Sequence, residues 1–167
     1  MKQINDEVFY ADSKLVKICQ KDIQALKEKA ARAKRHRSRL CTHKDVEERL
    51  HEMLIIHYKN TYVRPHKHNG RSESFHIIEG TADIMIFDDQ GTVSDIISMG
   101  DYRSGKIFYY RMPEGLYHSM VITSDVIVFH EITNGPFNKA DTLFAPWAPD
   151  ESDTQKAQNL TLRQKKS

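Results

Sequence analysis

The sequence predicts a mainly β chain, a closed or double-sheet barrel of short strands behind a short helical N-terminal segment. Three observations predict it. Eight runs rich in Ile, Val, Phe and Tyr follow one another at 50–58, 61–68, 73–79, 82–87, 93–99, 107–112, 117–123 and 126–133. The breaks between them carry hairpin chemistry: Glu79-Gly80, Asp89-Gln90-Gly91 and Ser124-Asp125 supply residues that accept positive φ or close Asx turns. No alternation of strand and helix patterns and no internal repeat is visible, which disfavours a parallel sheet.

In chain order, the first part is 1–48. There Leu15, Ile18, Cys19, Ile23 and Leu26 recur at spacings of three to five, which predicts one or two amphipathic helices packing on the barrel. The basic run Lys29, Arg32, Lys34, Arg35, Arg37 and Arg39 reads as the solvated end of a helix, where cations meet the C-terminal dipole. Few aromatics interleave it, so it does not read as a nucleic-acid surface. The barrel occupies 49–149 and ends in two extended segments, Gly135-Pro136-Phe137 and Ala145-Pro146-Trp147, with Trp147 packing on the barrel or across a subunit interface. From 150 to 167 the tail is polar, a composition that does not bury itself.

Composition agrees with one domain. A chain of 167 residues, 39% hydrophobic, covers roughly 70% of its unfolded surface on folding. A net charge of +2, from 25 Lys and Arg against 23 Asp and Glu, carries no global pull toward nucleic acid or membrane. No apolar run reaches the ~18 residues of a membrane span and no leader-like h-region opens the chain, so a cytoplasmic protein is expected. Cys19 and Cys41 lack CxxC spacing, which argues against a disulfide framework or a thiolate metal site.

The chemistry gathers in a few residues. His66 and His68, at i and i+2 on a strand, project from one face and can share one ion. Glu73 opens the next apolar run and can return a carboxylate to the pair, and His118, behind Pro113-Glu114-Gly115, offers a fourth ligand from a later strand. Three imidazoles and a carboxylate suit one divalent ion of Fe, Mn, Ni, Co or Zn and leave coordination positions open. Of the nine histidines, His36 and His43 lie in a polar basic region and His51 and His57 flank the first apolar strand. His76 has opposite parity to Glu73 and faces away from the proposed site, and His130 stays undecided.

This spacing, His66-x-His68-x4-Glu73-x6-Gly80, fits the first cupin motif, and Pro113-x-Gly115-x2-His118 fits the core of the second. The chain resembles a cupin. More narrowly, Thr61 to His68, the Phe87-Asp88-Asp89-Gln90-Gly91 turn, Gly135-Pro136-Phe137 and Ala145-Pro146-Trp147-Ala148-Pro149 resemble the WbuC family of cupin-fold metalloproteins, from about Arg35 to Pro149. The resemblance implies a jelly-roll barrel (double-stranded β-helix), a single metal ion, and a place in bacterial O-antigen or related surface-polysaccharide metabolism. In that context the stretch from Arg35 to His43 would cover the barrel mouth and meet a nucleotide diphosphate. Ile122 stands where the second motif usually ends in Asn, a position that is not a ligand.

Strand parity places Tyr62 and Arg64 on the face of His66 and His68. An inward arginine needs a counter-ion, so Arg64 either pairs with an acid such as Glu131 or Asp83 or clamps a ligand carboxylate or phosphate. The expected function is therefore metal-dependent, redox-neutral isomerisation or epimerisation of an anionic sugar or sugar nucleotide by a homodimer. Glu131 is the candidate base, and Tyr62 and Arg64 are the candidate substrate contacts. The same ligand set permits an Fe(II)-dependent dioxygenase or a non-catalytic, metal-anchored sugar-binding protein. A metal-free sugar epimerase is disfavoured, because it has no use for a complete ligand tetrad.

Overall fold

The computed structural model describes residues 1–153 together with 156 and 157; the rest of the predicted polar tail lies outside the described residues. The strands are β1 (Lys2–Gln3), β2 (Val8–Tyr10), β3 (Arg37–Cys41), β4 (Leu50–Tyr58), β5 (His66–His68), β6 (Glu73–Glu79), β7 (Thr81–Phe87), β8 (Val93–Gly100), β9 (Tyr109–Met112), β10 (Tyr117–Ile122), β11 (Val126–Asn134) and β12 (Thr142–Phe144). One α-helix, α1 (Gln20–Arg32), lies between β2 and β3. A seven-stranded sheet runs β1-β2-β3-β4-β11-β6-β9 and a five-stranded sheet runs β12-β5-β10-β7-β8. The paired strands are antiparallel save β2 on β3. Two such sheets face to face form the cupin jelly-roll barrel that the motifs imply.

The main core fills the space between the sheets, where Met53, Ile55, Phe75, Ile77 and Phe129 of the larger meet Ala82, Ile84, Ile86, Met120 and Ile122 of the smaller. Strand β4 is apolar on both faces for a reason. Its odd-numbered Met53 and Ile55 point into the barrel, while Leu54 and Ile56 point outward under α1, with Phe9, Leu26, Ala30, Leu40 and Val128. The outer face of the smaller sheet is covered too: Met85, Phe87 and Val121 pack with Tyr117 and Trp147. Trp147 thus packs on the barrel. Gly91, at φ +88°, lets the β7–β8 turn approach it, since a Cβ there would lie 2.7 Å from the Trp147 ring.

Three expectations need correction. Besides α1, the segment 1–48 contains β1, β2 and β3, which extend the larger sheet. Arg37 and Arg39 therefore sit on a strand and not on a helix end; Ser38 and Leu40 serve the helix side, which a short polar run does not announce. The expected strand over 61–68 shrinks to His66–His68. Pro65 lacks a donor, the Thr61 amide is spent on a turn to the Tyr58 carbonyl at 2.8 Å, and Ser119 Oγ donates to the Val63 carbonyl at 2.6 Å, so 61–65 runs as an unladdered segment. Strand β12 was not expected at all, being only Thr-Leu-Phe between polar residues. No helix among the described residues is long and apolar enough to cross a membrane.

Leu26 is fully buried between α1 and the larger sheet. Leu26→Ala is expected to cost about 2–5 kcal/mol. Thermal or urea unfolding measures the loss, and metal content per folded molecule should be unaffected because the helix lies on the outer face.

Candidate metal centre

Three strand pairings deliver the site. His66 lies directly opposite His118 where β5 meets β10, and His68 follows two residues on, so all three imidazoles rise from one face of the smaller sheet. Glu73 comes from the larger sheet, at the start of β6 beside Met112 and Thr133. The group thus bridges the two sheets. The ligand nitrogens of His66, His68 and His118 all lie within 4.8 Å of one another. Glu73 Oε2 is 3.3 Å from His68 Nε2, and Oε1 is 3.2 Å from His118 Nε2. Two donor atoms that share an ion at about 2.1 Å are themselves about 3.0–3.4 Å apart. The two Glu73 spacings fit a common ion.

The tautomers fit as well. His66 Nδ1 lies 2.8 Å from the Arg64 carbonyl and His118 Nδ1 lies 2.9 Å from the Leu116 carbonyl. Each ring donates from Nδ1 to a backbone oxygen two residues back and turns its Nε2 inward. His68 Nδ1 faces Thr142 Oγ1 of β12 at 3.4 Å. Burial, seconded by His118, pushes His66 down to about 3, so it is a neutral donor at neutral pH.

Glu73 is 3% exposed, and Tyr110 donates its hydroxyl to Oε1 at 3.0 Å. Burial alone would raise this carboxyl. The neighbouring His118 and the hydrogen bond from His68 outweigh burial and hold Glu73 low, to about 2. Burial and the adjacent carboxylate push Tyr110 well above the ordinary phenol value, keeping it a donor. No signal in the sequence marked Tyr110, because its place beside Phe75 depends on the β6–β9 register.

Tyr62 and Arg64 do not share the face of the histidines. With 61–65 off the ladder, strand parity does not apply, and both side chains turn to the C-terminal segment. The Tyr62 hydroxyl donates to the Pro149 carbonyl at 3.1 Å, and Arg64 pairs with Asp150 at 2.7 Å while lying over the Phe144 ring at 4.7 Å. Arg64 therefore has a carboxylate, though neither of the two expected. His76 is exposed on the outer face, as its parity predicts, and His130 lies 3.7 Å from Glu52.

Glu131 lies on β11 opposite Phe75, two residues from Glu73 along the partner strand. Among the described residues its carboxylate has no hydrogen-bond or ion-pair partner. Burial first, then the charge of Glu73, raises it to about 7, against the pull of Arg39, His68 and Arg71.

Comparison with known proteins adds the following. A family model described as a domain of unknown function (DUF6016) matches residues 18–99. No curated protein matches the sequence. Among solved structures, protein SO0799 from Shewanella oneidensis superposes with a TM-score of 0.50 at 11% identity, over 62% of this chain and 66% of that one. Oxalate decarboxylase from Bacillus subtilis gives a TM-score of 0.47 at 23% identity, over 59% of this chain and 25% of that one. The chain spans less than two thirds of either, and at these identities the likeness concerns the fold alone. Fold and site together define a cupin-like double-sheet barrel with a group of three histidines that could hold a metal ion.

Two outcomes follow from this geometry. Tyr110→Phe removes the only hydroxyl that orients Glu73 among the described residues and is expected to weaken metal binding by about 10–100-fold, read by competition with a chelator, with the fold retained. In the ion-free protein, Glu131 binds its proton more tightly folded than unfolded, where 4.5 is ordinary. Its contribution to stability is thus present at low pH and lost as pH rises from about 4.5 through 7. Glu131→Gln should flatten this part of the pH–stability curve, and an unchanged curve rules out the raised carboxyl.

Proposed function

We propose that the chain is a metal-dependent cupin that acts on an anionic sugar or sugar nucleotide in bacterial surface-polysaccharide metabolism, by redox-neutral isomerisation or epimerisation. The reading rests on one observation above all: the ring nitrogens of His66, His68 and His118 gather within 4.8 Å of one another, and the Glu73 carboxylate lies 3.3 Å from His68 and 3.2 Å from His118. These four residues would hold one divalent ion of Fe, Mn, Ni, Co or Zn. The sugar context rests on the resemblance to the WbuC family.

A bound ion supplies Lewis acidity to a carbonyl or hydroxyl oxygen of the substrate. The chain's own residues do the rest. Glu131 accepts the carbon-bound proton beside that oxygen and returns it to the neighbouring carbon while the hydroxyl proton passes to the former carbonyl oxygen, so atoms and electrons balance without an oxidant. Tyr110 aims Glu73, and the Arg64 and Leu116 carbonyls hold two of the imidazoles in the ligating tautomer.

The test is metal content and turnover on the same proteins. His66→Ala, His68→Ala and His118→Ala are each expected to lose stoichiometric metal in elemental analysis, together with the rise in Tm that an ion bound only to the folded state confers. His76→Ala should keep both. Turnover of nucleoside diphosphate sugars should persist without oxygen when Mn(II), Co(II) or Zn(II) is supplied. Oxygen uptake coupled to product would make the chain an Fe(II) dioxygenase instead.

A further inference from the structure

We infer that Arg39 binds the anionic end of the ligand, so that the barrel takes a small polyhydroxy compound carrying a carboxylate or a phosphate monoester. The inference deepens the metal reading above and rests on it for the other end of the ligand.

Strand β3 divides its side chains cleanly. Ser38 Oγ donates to the Leu26 carbonyl at 2.9 Å and Leu40 packs with Leu26, so the even positions face α1. Cys41 belongs to the core between the sheets with Met53 and Phe129, so Arg39, two residues back, faces the barrel interior. Arginines elsewhere in this region have carboxylates. Arg35 pairs with Glu7 and Glu151, Arg37 with Glu7 at 3.0 Å, Arg64 with Asp150 and Arg71 with Asp141. Arg39 has none among the described residues. Its one side-chain hydrogen bond goes to Met53 Sδ at 3.9 Å, a weak acceptor.

An inward guanidinium without a counter-ion is costly unless water or a ligand reaches it. Arg39 is half-buried, as are Glu131, His66 and His68. Each of the four thus keeps some contact with solvent. Arg39 and Glu131 are separated by β4, two strand spacings or roughly 10 Å, with an offset of two residues. Each lies within the other's electrostatic reach, yet they form no ion pair. From Arg39 to Glu73 is three strands and four residues, roughly 20 Å between backbones before the side chains reach in. That geometry fits an elongated ligand: hydroxyls at the histidines, the reacting carbon near Glu131, and the anion on the planar fork of Arg39.

The experiment titrates the full chain with D-galactose, D-galacturonate and galactose 1-phosphate, by calorimetry, with metal content measured in parallel. The wild-type chain is expected to bind at least one of the two anions more tightly than neutral galactose. Arg39→Met, which keeps the stem on Met53, should lose that preference by about 10- to 100-fold, the worth of charge-assisted hydrogen bonds. It should keep its metal, and Arg111→Met, a charge removed from the exposed edge of β9, should keep both. Whichever anion shows the dependence identifies the ligand's charged group. Should Arg39→Met not fold, Arg39→Lys decides by the same comparison, because a point charge loses the bidentate geometry. Undiminished anion binding in the Arg39 variants overturns the proposal, as does a wild-type chain that binds galactose and both anions alike. A wild-type chain that takes up no metal but keeps an Arg39-dependent preference for the anion refutes the metal reading alone.

Discussion

The site depends on the burial of one carboxylate. Glu73 enters from the larger sheet, is 3% exposed, and lies where an unpaired charge is among the most expensive things a protein can bury. Its two oxygens are met by His68, His118 and Tyr110. No single element supplies that compensation. The histidines come from β5 and β10 of one sheet and Tyr110 from β9 of the other, so ionised Glu73 requires both sheets to close on each other. The core between the sheets and the ligand group are two results of one packing event.

That carboxylate also sets the character of its neighbour. Two acids on the inner face of one sheet cannot both ionise cheaply. Glu73 has the imidazoles and the phenol and keeps its charge, whereas Glu131 has neither and is pushed toward neutrality. The contrast between a charged Glu73 and a Glu131 pushed toward neutrality thus follows from unequal partners. An ion shared by the histidines and Glu73 would take up part of the Glu73 charge and relax the pressure on Glu131, which would couple occupancy of the centre to the proton affinity of Glu131.

Much of this was legible in the sequence because it rests on local periodicity. The pair His66 and His68 shares a face wherever the strand runs, and the parity of His76 against Glu73 sends it outward. What could not be read rests on long-range pairing. Tyr110 meets Glu73 only through the β6–β9 register, and Arg64 finds Asp150, 86 residues away, in a segment whose composition announces no docking. Parity failed for Tyr62 and Arg64 because it presumes a ladder, and at 61–65 a proline and spent backbone groups leave none. The strand β3 was hidden in a basic run because its two faces answer to different partners, a helix on one side and a barrel interior on the other.

The distribution of arginines then has a single physical explanation. Arg35, Arg37 and Arg64 all reach the stretch at 150 and 151, where Asp150 and Glu151 accept them, and the same stretch follows Trp147, which seals the outer face of the smaller sheet. These charges fasten a segment whose apolar contacts are few, and exposed pairs of this kind contribute little apiece. Arg39 stands on the same strand as Arg37, two residues along and on the same face, yet takes no part in that fastening. Between them the strand passes from the rim, where acidic residues are available, to the interior, where Met53 is the contact. A guanidinium left in that position adds no ion pair to the barrel among the described residues, which is what makes it available to an anion that enters.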